Sequence, residues 1–231
     1  SFDNGIALSN EDSPQFQAAQ WILSHDGGLL NRLSEKRILQ RYAMATFYFA
    51  LEGDGWLEKT NWLNFAEECE WYSDEAETLC SETGYVAELV MQRNLLRGSL
   101  PPEVGLLEEM TNLDLLHNDI VGEIPTAIGL LTKLTKLVMA SNQVVSPILP
   151  LAKCTNLETL NLQENPLRSS IPSEFFQNCT SLTSFHLQNT GLTGALPSEI
   201  GRLTSVRLMN LFGNELTSTI PTEIGLCQSI E

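Results

Sequence analysis

The chain has 231 residues, of which 42% are hydrophobic, and its formal net charge is −16. This length and composition are sufficient for an ordered core. The acidic charge argues against nucleic acid and anionic lipid as partners, because both are bound through basic patches. No run of about 18 apolar residues occurs, so the sequence predicts no bilayer-spanning helix and no membrane contact from this segment.

The first segment, residues 1–33, is predicted to form a polar arm followed by one short helix. Ser13 is placed to cap a helix that begins at Pro14 and runs to about Ser24. The glycine-containing turn Asp26–Gly28 is expected to end this helix.

Residues 34–85 are predicted to form a helical N-terminal cap. Ser34 is a second N-cap residue, and the apolar spacing after it predicts a long helix that Gly53 and Gly55 end. We expect its apolar face to include Ile38, Leu39, Tyr42, Ala43, Ala45, Phe47 and Phe49. Three tryptophans follow, and we interpret them as sealing the exposed end of the next unit; an aromatic platform for a sugar or peptide is the alternative. They are Trp56, Trp62 and Trp71.

From residue 86 to residue 231 the sequence repeats itself every 23 to 25 residues. Each repeat has apolar residues at offsets 0, 3, 5, 10 and 14 and a polar residue at offset 8. The spacing predicts a short strand, a turn and a return segment in each repeat, with alternate strand residues pointing into the core and outward. The offset-8 amides are expected to bond backbone groups at the turn, and threonine can supply only part of that bonding. These positions are Asn94, Asn118, Asn142, Asn165, Thr190 and Asn214.

Several repeats continue with a Gly-x-Ile/Leu-Pro motif, as at Leu95–Pro101, Asp119–Pro125 and Gly191–Pro197. The complete frame, LxxLxLxxNxLxGxIPxxxGxLxx, resembles the plant-type leucine-rich repeats of receptor kinases, receptor-like proteins and polygalacturonase inhibitors. The segment with W-x5-W and C-x-W resembles the N-terminal cap of these proteins. The phrase QRYAMATFYFALEGDGW is more specifically similar to diatom leucine-rich-repeat proteins.

The resemblance implies an α/β solenoid with six repeats and the start of a seventh. This is a right-handed superhelix with parallel strands on its concave face and a helical, disulfide-bearing cap at its N-terminal end. Two repeats depart from the frame. The third has Ser146–Pro150 in place of the Gly-x-Ile-Pro motif and is one residue short, while the fourth has Ser169 and Ser170 and is one residue long. We expect both to bend the solenoid locally.

The five cysteines fall into two groups. Cys69 and Cys80 lie in an irregular acidic segment and are predicted to form a disulfide, with two free thiols as the alternative. Such a bond would stabilise the fold by roughly 2–3 kcal/mol and indicate an oxidising compartment. Each of the other three precedes a repeat start by three residues, and we interpret them as small buried apolar side chains. They are Cys154, Cys179 and Cys227.

The sequence contains no convergent set of reactive groups, so we expect no enzyme activity, metal site or cofactor. His117 and His186 lie three repeats apart, about 14 Å at one strand spacing per repeat, and cannot share a metal ion. The acidic segment at residues 67–77 lacks the ligand spacing and glycine of a calcium loop. We interpret it as a solvated acidic surface.

The outward strand positions form the candidate binding surface, because a solenoid presents its concave face to partners. This surface is rich in amides and has two apolar positions that are suited to anchoring a ligand. The residues we predict to contact a ligand are Arg93, Asp114, Leu116, His117, Gln163, His186, Gln188 and Phe212.

Two further features concern the compartment and the chain ends. Asn178-Cys179-Thr180 is a glycosylation sequon on the return side of a repeat. The absence of a leader at Ser1 suggests that one was removed or that the sequence is part of a longer chain. A seventh repeat would start at Ile230, so we expect the C-terminal end to be continued or covered by another chain.

Three functions are compatible with these features. The first is an extracellular or cell-surface recognition module that binds a protein, peptide or glycan on the concave face, as part of a receptor-like or adhesion protein. The second is a structural subunit of a larger assembly. The third is an inhibitor of a secreted wall-degrading enzyme, which the resemblance to polygalacturonase inhibitors suggests.

Overall fold

The computed structural model describes residues 4–25, 32–64, 66–71, 79–145 and 147–230. Some sequence features lie outside the described residues: the turn Asp26–Gly28, the acidic residues Asp74, Glu75 and Glu77, and Ser146 of the third repeat.

Two capped helices begin the structure. Helix α1 spans Pro14–His25 and helix α2 spans Glu35–Ala50. The Ser13 hydroxyl accepts a hydrogen bond from the Phe16 N–H at 3.0 Å, and the Ser34 hydroxyl accepts one from the Arg37 N–H. Both serines therefore satisfy helix N-terminal N–H groups, as the sequence predicts.

The end of α2 differs from the prediction. The helix ends at Ala50, and Glu52, not a glycine, adopts the left-handed conformation that follows it. Gly53 begins the short 3-10 helix Gly53–Gly55 instead. A Cβ atom at Gly53 would lie 2.3 Å from the Tyr48 ring, so packing against the helix explains this glycine.

The buried face of α2 also differs from the predicted apolar arc. Leu39 is 41% exposed, whereas Gln40 and Arg41 are buried. Arg41 forms a buried ion pair with Glu68 at 2.8 Å and lies over the rings of Trp21 and Trp71. A buried charge is tolerated when it is paired in this way, and apolar spacing alone cannot reveal the pairing.

The tryptophans close the N-terminal end of the solenoid. Trp56, Trp62 and Trp71 are at most 8% exposed, and the first two pack with Phe47 of α2. The sealing interpretation is therefore confirmed, and an open aromatic platform is excluded for these three rings.

The repeats build a six-stranded parallel sheet in which each strand pairs with the equivalent strand of the next repeat. Among the described residues, five of the repeats also contain a second strand. In chain order the strands are β1 (Glu88–Val90), β2 (Arg97–Ser99), β3 (Asn112–Asp114), β4 (Asp119–Gly122), β5 (Lys136–Val138), β6 (Gln143–Val144), β7 (Thr159–Asn161), β8 (Ser184–His186), β9 (Thr193–Ala195), β10 (Leu208–Asn210) and β11 (Glu215–Thr217). The main sheet has the order β1-β3-β5-β7-β8-β10.

The second strands were not predicted, because the repeat frame was interpreted as one strand, a turn and a return segment. They form two further parallel ladders, β2-β4-β6 and β9-β11. The fourth repeat has no such strand among its described residues, and its return segment carries helix α3 (Ser173–Asn178). The other return segments carry 3-10 helices, namely Pro102–Leu106, Thr126–Leu130, Leu149–Lys153, Ser198–Arg202 and Thr222–Leu226. The extra residue of the fourth repeat accounts for the difference, since an α-helical turn needs more residues than a 3-10 turn.

A continuous apolar core runs along the solenoid. The first residue of each of the six repeats is fully buried: Val86, Met110, Leu134, Leu157, Leu182 and Val206. The three repeat cysteines are free and buried, as predicted, and burial raises the pKa of Cys154 to about 11. Cys69 and Cys80 form the predicted disulfide. Every helix in the part of the chain that the structure describes is too short or too polar to cross a bilayer.

Candidate functional site

The outward-facing strand residues form the columns that the repeat frame predicts. Residue pairs across the sheet place Asp114 beside Val138, then Asn161, then His186, then Asn210. Because one strand is added per repeat, neighbouring residues of a column lie about 4.8 Å apart. The predicted ligand contacts from Arg93 to Phe212 therefore span about 24 Å, five such steps. They form a strip along the sheet and do not converge on one reactive centre.

Arg93 and His117 lie at the edge of this strip, where the strand turns. Their φ angles are +52° and +57°, and the equivalent residue of each other repeat is also left-handed. Both side chains are exposed. They are therefore accessible, but the turn directs them to the rim of the sheet.

The N-terminal half of the strip is occupied by contacts between strands. Asp114 is only 2% exposed, because Lys136 pairs with its Oδ2 at 3.0 Å and Gln92 donates to the same oxygen at 2.9 Å. Leu116 is half-buried. The expectation that Asp114 is an open ligand contact is thus corrected, since its acceptors already link three strands.

The C-terminal half of the strip is open. Its outward strand columns contain no Asp, Glu, Lys or Arg, and the exposed carboxylate of Glu164 lies at its rim, at the position equivalent to Arg93 and His117. We define the C-terminal concave patch as the outward residues on and just after the strands of the fourth, fifth and sixth repeats. These residues are Thr159, Asn161, Gln163, Ser184, His186, Gln188, Leu208, Asn210 and Phe212. Phe212 is 78% exposed and Leu208 is 50% exposed. Leu208 lies in the first outward column, as the repeat frame predicts, but only Leu116 and Phe212 were predicted as apolar anchors.

Hydrogen bonds orient the polar side chains of the patch. Gln188 donates through Nε2 to Oε1 of Gln163, and the Ser184 hydroxyl hydrogen-bonds Nε2 of His186 at 2.8 Å. Partial burial lowers the pKa of His186, so its imidazole is neutral at neutral pH. Among the described residues no carboxylate hydrogen-bonds His186, so the Ser184–His186 pair lacks the third group that would orient a catalytic base.

Amides in the patch have both donor and acceptor capacity. Asn161 and Asn210 each accept a hydrogen bond through Oδ1 from the N–H two residues later, at 3.2 and 3.1 Å. This contact fixes the carbonyl side of each amide toward its own strand. The patch can therefore offer amide N–H groups beside two exposed apolar side chains.

Asn178 lies away from the concave strip. It is the last residue of α3, on the return side of the fourth repeat, and its side chain is exposed. In the described ranges no group of three His, Cys, Asp or Glu side chains is close enough to hold a metal ion.

Comparison with known sequences gives one match to a family model. The model described as a leucine-rich repeat matches residues 155–216. No curated protein matches the chain.

Solved structures of plant proteins match the fold of this chain. The ectodomain of the Arabidopsis thaliana receptor kinase GASSHO1/SCHENGEN3, in complex with CASPARIAN STRIP INTEGRITY FACTOR 2, is 32% identical over 63% of this chain, with a TM-score of 0.61. The present chain spans 17% of that receptor chain. A plant ice-binding protein is 26% identical over 77% of this chain and 64% of its own, with a TM-score of 0.58.

The ectodomain of the Arabidopsis thaliana receptor kinase SOBIR1 matches over a larger share of both chains. It covers 82% of this chain and 98% of its own, with a TM-score of 0.64, at 21% identity. At that identity the match concerns the fold alone. Since one fold serves a receptor that holds a factor and a protein that binds ice, function has to be argued from the exposed residues.

Proposed function

We propose that this chain, a leucine-rich-repeat protein of the plant type, is a non-catalytic extracellular recognition module that binds an extended peptide or protein segment across the C-terminal concave patch. The observation that carries the proposal is the combination of an exposed aromatic ring, Phe212, with a row of uncharged amides on the neighbouring strands. Aromatic anchors surrounded by polar groups dominate the energetics of binding sites.

The polar chemistry of the patch suits a peptide main chain. An extended peptide presents N–H and C=O groups at regular intervals, and amide side chains can pair with either kind of group. Gln163, Gln188 and Phe212 occupy one column in three consecutive repeats, so a peptide crossing the strands would meet two amides and then the aromatic ring. The outward columns of the patch carry no charged side chain, which favours a ligand segment without strong charge there, while the carboxylate of Glu164 lies at the rim.

A repeating lattice such as ice is a poorer ligand for this surface. A lattice is matched by the same side chain at every rung, whereas the first outward column of this chain changes from Glu88 to Asn112, Lys136, Thr159, Ser184 and Leu208. This variation favours a partner with its own sequence of distinct groups.

Two observations support an extracellular location. The Cys69–Cys80 disulfide is typical of proteins that fold in an oxidising compartment. The GASSHO1/SCHENGEN3 chain, the first of the receptors that resemble this protein, is the ectodomain of a plant membrane receptor kinase. A peptide or protein ligand is supported by the same comparison, because the first of these receptors is in complex with a named factor.

Binding can be tested with a displayed library of random peptides and the native chain. We expect Phe212→Ala to weaken selected peptides by about tenfold or more, as for an anchor residue. The matched control is Ile220→Ala, which removes an exposed apolar side chain from the same repeat but outside the patch. Equal losses in both variants would contradict a site at Phe212.

The alternatives make different predictions in solution. Light scattering of the native chain that showed a stable assembly would favour the structural subunit. Selective capture of glycans would replace the peptide ligand, and inhibition of a secreted wall-degrading enzyme would favour the inhibitor.

A further inference from the structure

A hollow on the return side of the solenoid lies outside the proposed binding patch. Its volume is about 510 Å³, and it lies between the return segments of the second, third and fourth repeats. This volume is in the range of about 300–1,000 Å³ that small-molecule sites occupy. Its apolar lining consists of Ile124, Pro147, Leu149, Pro150 and Ala152.

The hollow coincides with the irregular third and fourth repeats. The third repeat lacks the Gly-x-Ile-Pro motif, and the ladder β2-β4-β6 ends there. In the fourth repeat helix α3 replaces the 3-10 helix of its neighbours. The two return segments therefore differ in shape, and Leu149 is left half-exposed at the step between them.

Asn178 lies at the rim of this hollow. It is four residues after Glu174 on α3, so both side chains project from the same face of the helix, and both line the hollow. Neither side chain is buried, and the Asn178 amide makes no hydrogen bond within the described residues. The acceptor amide of the sequon that begins at Asn178 is therefore accessible at the edge of the hollow, next to its apolar lining.

The first and last residues of the sequon, Asn178 and Thr180, are exposed, while the residue between them is buried. Cys179 is fully buried, and its thiol donates to the Leu151 carbonyl at 3.3 Å. Thr180 is exposed on the other side of it. The buried cysteine thus holds the segment against the third repeat while both of the residues that define the sequon face solvent.

We propose that Asn178 carries an N-linked glycan whose first sugars cover this hollow. In the modification, Nδ2 of Asn178 attacks C1 of the first sugar of a lipid-diphosphate-linked oligosaccharide, the donor used by a membrane oligosaccharyltransferase. A C1–N bond forms as the C1–O bond to the diphosphate breaks. The lipid diphosphate leaves with the bonding electrons, and the amide nitrogen loses one proton.

The lining of the hollow suits a sugar with an acetamido group. Leu149 and the prolines can cover the apolar ring face and the methyl group, removing apolar surface from water. Glu174 and Lys153 at the rim can bond the sugar hydroxyls. The inference shares one premise with the proposed function, namely passage through the secretory pathway.

Modification is tested by producing the chain in a secreting eukaryotic host. We expect an increase in intact mass that peptide N-glycosidase removes and that Asn178→Gln and Thr180→Ala both abolish. Thr180→Ser is the matched control, because it retains the sequon. An unmodified chain that is secreted with its Cys69–Cys80 disulfide formed would overturn the inference and leave the proposed function untouched.

Cover of the hollow is tested by thiol labelling of a Leu149→Cys variant. The native thiols are buried, and burial raises the pKa of Cys179 to about 12, so they react poorly. We expect maleimide to label the introduced thiol several-fold more slowly in the glycosylated chain than in the same chain with Thr180→Ala. A Leu57→Cys variant, exposed in the cap, should label equally in both backgrounds. Equal rates at position 149 would overturn the proposal that the glycan covers the hollow.

Discussion

Single asparagines hold the turns of the solenoid together. Asn118 donates through Nδ2 to the carbonyls of Met91 and Leu115 and accepts through Oδ1 from the N–H groups of Asn94 and Leu96. The side chain of Asn118 thus forms hydrogen bonds with backbone groups of two successive repeats. These groups lie outside the hydrogen bonding of the strands. The role that the sequence assigns to these amides is confirmed.

The first of these asparagines, Asn94, forms hydrogen bonds with the cap. Asn94 accepts from the N–H of Glu58 and donates to its carbonyl, so the amide ties the tryptophan-containing segment to the first repeat. This contact was not expected, because Glu58 lies 36 residues away in an irregular segment.

Thr190 shows what is lost when the amide is replaced. Its hydroxyl donates to the Leu187 carbonyl at 2.8 Å, but the N–H of Leu167 in the preceding repeat bonds its own neighbour, the Asn165 carbonyl. Threonine has only a hydroxyl, so it supplies part of the pattern, as predicted. A softer repeat at this position stays a prediction.

We predict that Asn142→Ala lowers the free energy of unfolding by about 2–4 kcal/mol, because it leaves several buried backbone groups unpaired at about 1–3 kcal/mol each. Asn142 donates to the carbonyls of Leu115 and Met139 and accepts from the Ile120 N–H. Urea unfolding followed by circular dichroism measures the change. Asn156→Ala is the control, since its side chain is exposed, and should cost about 0.5 kcal/mol or less. Similar losses in the two variants would contradict the role of the ladder.

Helix α2 and strand β2 approach each other closely where the cap joins the first repeat. The Arg97 N–H donates to the Leu51 carbonyl just after α2, and the next residue, Gly98, has a φ of +98°. A Cβ atom at Gly98 would lie 2.3 Å from the Ala50 carbonyl oxygen. The glycine of the motif is therefore required at position 98 for two reasons, which are its left-handed backbone conformation and the close approach of the end of α2.

Gly98→Ala should lower the free energy of unfolding by about 2–4 kcal/mol, because a left-handed alanine costs about 1–2 kcal/mol and the clash with backbone adds to it. Thermal or denaturant unfolding measures the loss. Gly55→Ala is the matched control, as no atom lies within 4 Å of the position of its Cβ. If the two variants unfolded at the same denaturant concentration, the close packing of α2 on β2 would be refuted.

Across the molecule, the cap and the solenoid share one core. Gln40 of α2 accepts from the Val86 N–H at 2.8 Å and donates to Glu68 at 2.9 Å, which connects the helix, the acidic segment and the first repeat. The residues after the disulfide continue this connection, because Cys80 pairs with Val86 as an antiparallel bridge. The sequence pattern changes at the boundary predicted between residues 85 and 86. The hydrogen bonds and the bridge just described connect the residues on its two sides.

The disulfide should stabilise the cap end of the molecule. Replacing both Cys69 and Cys80 by alanine should reduce stability by roughly 2–3 kcal/mol, the value expected for a short closed loop. Hydrogen exchange should place the loss in the cap and first repeat, because repeats transmit stability mainly to their neighbours. A reducing agent should lower the unfolding midpoint of the native chain and leave that of the double variant unchanged. A double variant as stable as the native chain would contradict this prediction.

Local rules of sequence were enough to establish the repeating architecture, the caps of α1 and α2 and the columns of the concave sheet. The spacing of apolar residues sets which face is buried, and the alternation along a strand sets which residue faces outward. Val86 and Leu134 occupy equivalent buried positions for this reason. The asparagine ladder belongs to the same class, because its geometry is repeated in every turn.

Whether an outward residue is free to contact a ligand, by contrast, depends on the packing between neighbouring repeats. Asp114 and His186 occupy the same column, yet Lys136 and Gln92 cover the first, while the second lies beside open amides. The buried Arg41–Glu68 pair, the second strands and the hollow beside Asn178 depend likewise on contacts between segments distant in sequence. A repeat frame specifies the backbone of each unit, but the partners of a polar side chain are set by the neighbouring units, and these vary freely at exposed positions.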